Sequence, residues 1–296
     1  MPDGAAPRDD AQPDLNAKAL LVHRRLCDAY GCPVPYFHDL DPLSELVSSL
    51  LSHRTKNADS GRAFKELRRR LPAWEQVRDA PTAEVQDAIS AATWPEQKAP
   101  RIQQVLRLIT DRRCGELSLD FLKDLPPAEA MSWLRELPGV GPKTAAAVLS
   151  FSSLRMAALP VDCHHHRVAQ RLALVGSKVD VAAAHTLLAA QLPPDFDAQQ
   201  VYDNHEAMML HGQRCCYHAA PACHRCPVLD VCPFGQARAG RTSPGARTNE
   251  SPAVPRTTKH RRGDHGKDEA REAKTEGTPK GKARRSKTDG GGPSLF

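Results

Sequence analysis

Apolar residues recur at intervals of three and four through most of this chain, which is the spacing of one face of an α-helix. The pattern is clear in S-E-L-V-S-S-L-L-S (44–52), R-I-Q-Q-V-L-R-L-I (101–109) and A-A-A-V-L-S-F (145–151). Runs of alternating β-branched residues, which would indicate strands, are missing. The sequence therefore predicts an all-α protein of about ten short helices, with caps at Asn16 and Thr82 and a helix end at Gly212.

The length and composition allow one or two domains with hydrophobic cores, because the chain has 296 residues, of which 40% are hydrophobic. No stretch approaches ~18 consecutive apolar residues. Residues 1–13 are polar and acidic, and lack the basic and then apolar order of a secretion signal. We therefore expect a cytoplasmic protein that does not associate with membranes.

Both ends of the chain are poor in core-forming residues, which predicts disordered tails over 1–15 and 237–296. Fifteen Lys and Arg against seven Asp and Glu between 238 and 289 give the C-terminal tail a net charge of +8. The whole chain carries +6, so about −2 remains for the rest. Any nucleic-acid binding by the folded part must therefore use a local basic patch. The tail itself is either a solvated linker or a non-specific DNA tether.

Four of the nine cysteines are crowded into C-Y-H-A-A-P-A-C-H-R-C-P-V-L-D-V-C, where Cys216, Cys223, Cys226 and Cys232 are spaced C-x6-C-x2-C-x5-C. The total of nine is odd and four of the cysteines are clustered, which favours a metal site in a reducing compartment over a disulfide scaffold. Both tetrahedral zinc and a 4Fe-4S cluster bind four cysteines. The single C-x2-C pair favours the cluster, while zinc or no metal stays open. Cys215 could compete with Cys216 but lengthens the first spacing.

The segment L-P-G-V-G-P-K-T-A (137–145) predicts a helix-hairpin-helix over 130–151. Gly139 and Gly141 allow a positive φ and a close approach of another backbone, and Pro142 suits the first position of a helix. The amides at such a helix start can bind a phosphate. The alternative is an ordinary glycine turn between two packed helices.

Two residues near this hairpin have side chains suited to chemistry. Lys143, at the helix start, is either a phosphate contact or a nucleophile, and a nucleophilic lysine must lose a proton that it normally holds at pH 7. Asp162, in V-D-C-H-H-H-R-V, is either a helix cap or a catalytic carboxylate. The three histidines that follow point about 100° apart on a helix, so they are not expected to bind one ion.

Taken in order, the hairpin, V-D-x-H-x-x-R-V, H-G-Q-R-C-C and the four-cysteine spacing resemble the endonuclease III family of helix-hairpin-helix DNA glycosylases, from about residue 17 to about 234. The resemblance implies a six-helix barrel domain over 41–150 and a 4Fe-4S cluster domain made of 16–40 and 151–236. A DNA-binding cleft would lie between them. The expected partner is double-stranded DNA with damaged bases or abasic sites, bound by a monomer at the nucleoid.

The resemblance also implies residue roles. Lys143 would be the catalytic lysine and Asp162 the catalytic aspartate, while Cys216, Cys223, Cys226 and Cys232 would bind the cluster. The implied DNA contacts are Arg54, Gly139, Val140, Gly141 and Thr144. The implied activity is removal of damaged bases, with oxidised pyrimidines as the expected substrates, through a lysine Schiff base, followed by β-elimination 3′ to the abasic site.

The chain departs from the family pattern at several positions. Arg54 in S-H-R-T-K-N (52–57) replaces a glutamine that fills the gap left by a flipped base, which changes how the opposite base would be contacted. Asn57 and Cys163 also replace usual family residues. A mismatch-specific adenine glycosylase is the alternative enzyme, but it has a glutamate where this chain has Ser49. A second alternative is a DNA-binding protein with weak or altered glycosylase activity.

Overall fold

The computed structural model describes residues 14–241, and these residues are helical almost throughout, with no strand among them. The all-α prediction is confirmed. The twelve α-helices of the described residues are α1 Leu15–Tyr30, α2 Pro42–Ser52, α3 Asn57–Arg70, α4 Trp74–Asp79, α5 Thr82–Ala88, α6 Pro95–Arg112, α7 Pro127–Arg135, α8 Pro142–Phe151, α9 Cys163–Arg171, α10 Val181–Ala189, α11 Ala198–Arg214 and α12 Pro233–Arg241. No helix in the described part is long and apolar enough to cross a membrane.

Aspartate side chains begin many of these helices by accepting amide hydrogen bonds from the first turn. At α1 the cap is Asp14, which accepts from the amides of Asn16 and Ala17, so the prediction that Asn16 is the cap was wrong. Helix α12 continues to Arg241, past the predicted start of the C-terminal tail at 237. The other residues assigned to the tails, 1–13 and 242–296, lie outside the described part of the chain.

Two further expectations about helix ends were wrong. Gly212 lies inside α11 rather than at its end. A Cβ on Gly212 would be 2.8 Å from Cβ of His164, so the glycine is needed for α9 and α11 to pack closely. Thr82 begins α5 but does not cap it, because its hydroxyl donates to Oε1 of Gln103 at 2.7 Å.

Helices α2 to α8 form the first of two hydrophobic cores. In helix α8 every residue from Thr144 to Ser150 is buried, and this helix packs against α2 within the core. Leu46 and Leu106 are fully buried there, and burying a leucine side chain contributes about 1.5–3 kcal/mol. The core also includes Ala158, so it continues past the domain boundary predicted at 150.

The second core is formed by α1, α9, α10 and α11 together with the cysteine-rich segment that follows them. Val22, Leu26, Val168 and Met208 are among its buried residues. Both cores belong to one compact unit that includes all described residues. The division of this unit into two domains with a DNA-binding cleft stays a prediction.

Candidate functional site

The glycine hairpin between α7 and α8 has a geometry that only glycine adopts easily. Gly139 has a φ of +83°, and a Cβ there would lie 2.8 Å from Cδ of Arg101. Gly141 is extended and precedes α8, which has no side-chain cap and has proline at its start. The amides of Lys143 and Thr144 are therefore the donors that this helix start can offer to a phosphate.

Two residues with predicted DNA contacts have side chains that point inward. Val140 is 6% exposed and packs in the first core, and Thr144 is 4% exposed. Thr144 Oγ1 shares a hydrogen bond with Nε2 of His53 at 3.0 Å. Any DNA contact by these two residues would therefore use their backbone atoms, and their predicted role in DNA binding stays a prediction.

Basic side chains gather around His53, next to the hairpin. Burial lowers the pKa of His53, and the positive charges of Lys143, Lys98 and Arg101 lower it further. Arg54 and Arg101 are exposed and line one pocket with His53. The folded part has little net charge but contains a local cationic patch. Such a patch is what nucleic-acid binding by this part of the chain would need.

A tryptophan not singled out in the sequence faces Arg54 across this pocket. Trp94 is 45% exposed, and its ring centroid lies 6.0 Å from the guanidinium carbon of Arg54. Both residues have a positive φ, 55° at Trp94 and 52° at Arg54. An exposed aromatic ring beside an arginine offers a stacking surface to a nucleic-acid base. The signal in the sequence was a tryptophan between threonine and proline in a turn.

Lys98 forms three hydrogen bonds with residues on either side of Arg54. Its ammonium donates to the carbonyl oxygens of Leu51 and His53 at 2.7 and 2.8 Å, and to Oγ1 of Thr55 at 2.7 Å. Burial lowers the pKa of Lys98. A buried charge with three acceptors fixes the backbone on both sides of Arg54.

Asp162 caps α9, as one of the two sequence interpretations predicted. Its Oδ1 accepts from the amide of His165 at 2.7 Å. Burial acts to raise the pKa of Asp162, but His205 and this amide hydrogen bond outweigh it, so the pKa is lowered. The residue is therefore a half-buried carboxylate that is ionised at neutral pH.

Lys143 and Asp162 both act electrostatically on the same buried histidine, His205. Burial lowers the pKa of His205 to about 4, Asp162 acts to raise it, and Lys143 acts to lower it. The ring of His205 donates from Nδ1 to the carbonyl oxygen of Pro160 at 2.8 Å and stacks on His165, with 5.9 Å between ring centroids. Lys143, on α8, and Asp162, before α9, are therefore both close enough to His205 to act on its pKa, and their catalytic roles stay predictions.

The three consecutive histidines have different neighbours. His165 is buried and stacks on His205. Nε2 of His166 donates to the carbonyl oxygen of Val179 at 2.8 Å, and Nδ1 of His164 lies 3.2 Å from the Arg167 guanidinium. They do not converge on a common point.

The four predicted ligand cysteines line one pocket at the end of the second core, together with Cys215 and His211. Nη1 of Arg171 donates to Sγ of Cys216 at 3.2 Å, and the Gly235 amide donates to Sγ of Cys232 at 3.3 Å. Burial raises the pKa of Cys226 to about 12, and nearby thiolates add to this rise. Converging thiols of this kind fit a cysteine-ligated metal group, whose positive charge would stabilise the thiolates.

Cys27 and Cys32, at the end of α1, form a disulfide. This pair was not predicted from the sequence. Their spacing gives no signal distinct from that of two free thiols, and only the turn at Gly31, with a φ of +83°, brings them together. The pair lies outside the cysteine pocket.

Residues 47–193 match the HhH-GPD superfamily of base excision DNA repair proteins. The chain belongs to this superfamily. Endonuclease III of Thermotoga maritima is 28% identical over 200 residues, which cover 68% of this chain and 86% of that protein. A protein of Arabidopsis thaliana described as a DNA glycosylase is 31% identical over 173 residues, covering 58% of this chain and 57% of that protein.

A solved structure has a similar fold. A trapped endonuclease III–DNA covalent intermediate superposes with a TM-score of 0.63 at 23% identity, and covers 76% of this chain and 98% of that chain. At this identity the likeness establishes the fold. The resemblance to endonuclease III is confirmed, and the protein is a member of a base excision repair DNA glycosylase family.

Proposed function

We propose that this protein removes damaged bases from double-stranded DNA and then cuts the strand at the resulting abasic site. The observation that carries the proposal is that Lys143 and Asp162 both act on the pKa of His205, and that Lys143 also acts on His53 in the cationic patch. Oxidised pyrimidines are the proposed substrates. A base inside the duplex is out of reach of an enzyme side chain, so it must first be flipped out.

Lys143 is the proposed nucleophile. It is exposed at the second residue of α8, while the rest of the helix is anchored in the first core. After the ammonium has lost a proton to water, its Nζ would attack C1′ of the deoxyribose, and the bond from C1′ to the base would break with its electron pair leaving on the base. Ring opening then gives a Schiff base between Nζ and C1′. Loss of a C2′ proton expels the 3′ phosphate, and water releases the lysine.

Asp162 is the proposed acid–base and electrostatic partner. The charge that builds on the sugar as the base leaves is positive, and an ionised carboxylate stabilises it. The lowered pKa of Asp162 keeps it ionised at neutral pH. Capping of α9 uses Oδ1, so the same bond that begins the helix also orients the carboxylate.

The basic patch and the hairpin are the proposed DNA-binding elements. The amides at the start of α8 would bind a phosphate, and Arg54 with Trp94 would contact the bases near the flipped nucleotide. Because Lys98 fixes the loop that carries Arg54, this contact needs little reordering of the protein.

We also propose that Cys216, Cys223, Cys226 and Cys232 hold a 4Fe-4S cluster. When bound, it supplies iron–thiolate bonds that brace the loop between α11 and α12. The lysine chemistry requires no electron transfer, so the proposed role of these cysteines is structural. Analysis of iron and sulfide in protein purified without air tests this assignment, and a zinc-only result would refute it.

Borohydride trapping tests the lyase step. The full-length protein is mixed with a duplex containing one abasic site or one oxidised pyrimidine, and borohydride reduces any Schiff base to a stable amine. We expect a covalent protein–DNA adduct that Lys143→Ala abolishes and Lys123→Ala, an exposed control, leaves intact. No adduct with the intact protein would overturn the lyase proposal and favour the DNA-binding alternative.

The mismatch-specific alternative has a separate test. Ser49 stands where that enzyme has a glutamate, and its hydroxyl donates to Oε1 of Glu45 at 2.9 Å. Single-turnover excision from duplexes with an adenine mismatch, compared with an oxidised pyrimidine, distinguishes the two substrates. Faster excision of adenine would favour the mismatch enzyme.

A further inference from the structure

A second group of potential metal ligands lies within the cysteine pocket. Among the described residues, Nε2 of His211 and the Sγ atoms of Cys215 and Cys226 all lie within 4.8 Å of one another. Nε2 of His211 is 3.5 Å from Sγ of Cys226. With Zn–N near 2.0 Å and Zn–S near 2.3 Å, two ligands of one tetrahedral zinc ion lie about 3.4–3.8 Å apart. The His211–Cys226 pair is therefore at the separation that a single ion requires, and no pair of the group is more than 4.8 Å apart.

We propose that His211, Cys215 and Cys226 form a binding site for one Zn²⁺ ion. The site is an alternative to the four-cysteine set, because both need Cys226. Water completes the tetrahedron. This inference does not depend on the glycosylase activity, and it concerns which metal the pocket holds.

His211 is oriented for metal binding by a second hydrogen bond. Its Nδ1 lies 3.0 Å from the hydroxyl oxygen of Tyr30 on α1. When Nδ1 carries the proton and donates it to Tyr30, Nε2 has a free lone pair directed at the pocket. Histidine ligands of metals commonly donate their other ring N–H in this way, which fixes the tautomer and the ring orientation.

Cys215 is held by the backbone around it. Its amide donates to the carbonyl oxygen of His211 at 3.0 Å, and its carbonyl oxygen accepts from the Ala222 amide at 2.9 Å. The residue is 4% exposed. Its thiol donates to the carbonyl oxygen of Ala222 at 3.5 Å, a weak bond that is given up when the thiolate binds a cation. These hydrogen bonds fix the position of Cys215 in the pocket.

The two ligand sets suit different metal centres for a geometric reason. In a 4Fe-4S cluster each cysteine binds a different iron atom, whereas the ligands of a zinc ion all bind the same atom and must lie closer together. The close-set group contains only one of the four predicted cluster ligands, Cys226. One pocket therefore offers a wide set and a narrow set of ligands that cannot be used at the same time.

Metal content of adjacent cysteine variants tests the proposal. The full-length protein, Cys215→Ser and Cys216→Ser are each produced in iron-replete medium and in iron-limited medium with added Zn²⁺, and zinc, iron and sulfide are measured. We expect about one zinc per chain in the intact protein from the second medium. Cys215→Ser should lose most of this zinc and keep its iron. Cys216→Ser should keep the zinc and lose iron.

Zinc retained fully in Cys215→Ser, or lost equally in both variants, would overturn the proposal, as would an intact protein that binds no zinc. Helix content by circular dichroism identifies a variant that fails to fold. X-ray absorption at the zinc edge of the intact protein needs no variant. Scattering from an imidazole ring supports the His211 site, and a shell of four sulfurs refutes it. Absence of iron from iron-replete protein would refute the cluster alone.

Discussion

Replacing Glu206 by glutamine should stabilise the protein relative to the unmodified chain, and this gain in unfolding free energy should be larger at pH 8 than at pH 5. Glu206 is 8% exposed on α11. Burial raises its pKa to about 7, and the negative charges of Asp162 and Asp203 add to this rise. The folded protein therefore keeps a proton that the unfolded chain releases near pH 4.5. The stability that this group contributes is complete below pH 4.5 and is lost as the pH rises through 7.

The size of the effect follows from the two pKa values of Glu206. One pKa unit corresponds to about 1.36 kcal/mol, so a rise from 4.5 to about 7 corresponds to about 3 kcal/mol over the whole range. Between pH 5 and pH 8 the share is about 2–3 kcal/mol. Glutamine has a similar shape and does not titrate, so Glu206→Gln avoids this loss. For a folded unit of this size, the difference is about 5–10 °C in melting temperature.

Urea denaturation of both full-length proteins at pH 5, 6, 7 and 8, at constant ionic strength and matched metal content, measures the effect. The quantity to compare is the difference in unfolding free energy between variant and unmodified protein. Glu129→Gln, an exposed position on α7, controls for the loss of one negative charge. A difference for Glu206→Gln that stays constant from pH 5 to pH 8 would refute the reasoning.

Two further predictions use matched pairs. Gly139→Ala and Gly115→Ala should each lower the unfolding free energy by about 1 kcal/mol, because both positions have a positive φ. Only Gly139→Ala should weaken DNA binding in a fluorescence titration, because its Cβ would displace Arg101, whereas a Cβ at position 115 has no atom within 4 Å. Equal affinities of the two variants would contradict this. Asp162→Ala and Asp180→Ala should each lose about 1 kcal/mol of cap stabilisation in urea denaturation. Only Asp162→Ala should slow single-turnover excision, by about 10²–10⁴-fold, and an unchanged rate would remove Asp162 from the proposed mechanism.

The features that the sequence predicted well depend on neighbouring residues. The hairpin was predictable because Gly139 permits the positive φ of the turn and Pro142 restricts its own φ to helical values, whatever packs against them. The cap at Asp162 was predictable for the same reason, since its hydrogen bond reaches only three residues along the chain. At α1, however, Asp14 and Asn16 are both good caps, and the wrong one of the two was chosen.

The features that the sequence missed depend on contacts between distant segments. Nothing near His205 in sequence indicates that both Asp162 and Lys143 act on its pKa. Gly212 was assigned to a helix end because glycine is common there. In the structure its lack of a side chain allows α9 to pack closely against α11. Cys215 was set aside on spacing alone, although its distance to His211 and Cys226 depends on how the loop after α11 folds.

Helix α9 joins the two chemical regions of the molecule directly. The candidate catalytic carboxylate, Asp162, immediately precedes α9. The last residue of α9, Arg171, donates to Sγ of Cys216 and to the carbonyl oxygens of Tyr217 and His218 in the cysteine loop. Nine helical residues span about 13 Å and behave as a stiff rod. Loosening of the cysteine loop would therefore tilt the carboxylate at the far end while leaving the hairpin on α8 in place. We expect a metal-depleted protein to bind DNA normally and to turn over slowly.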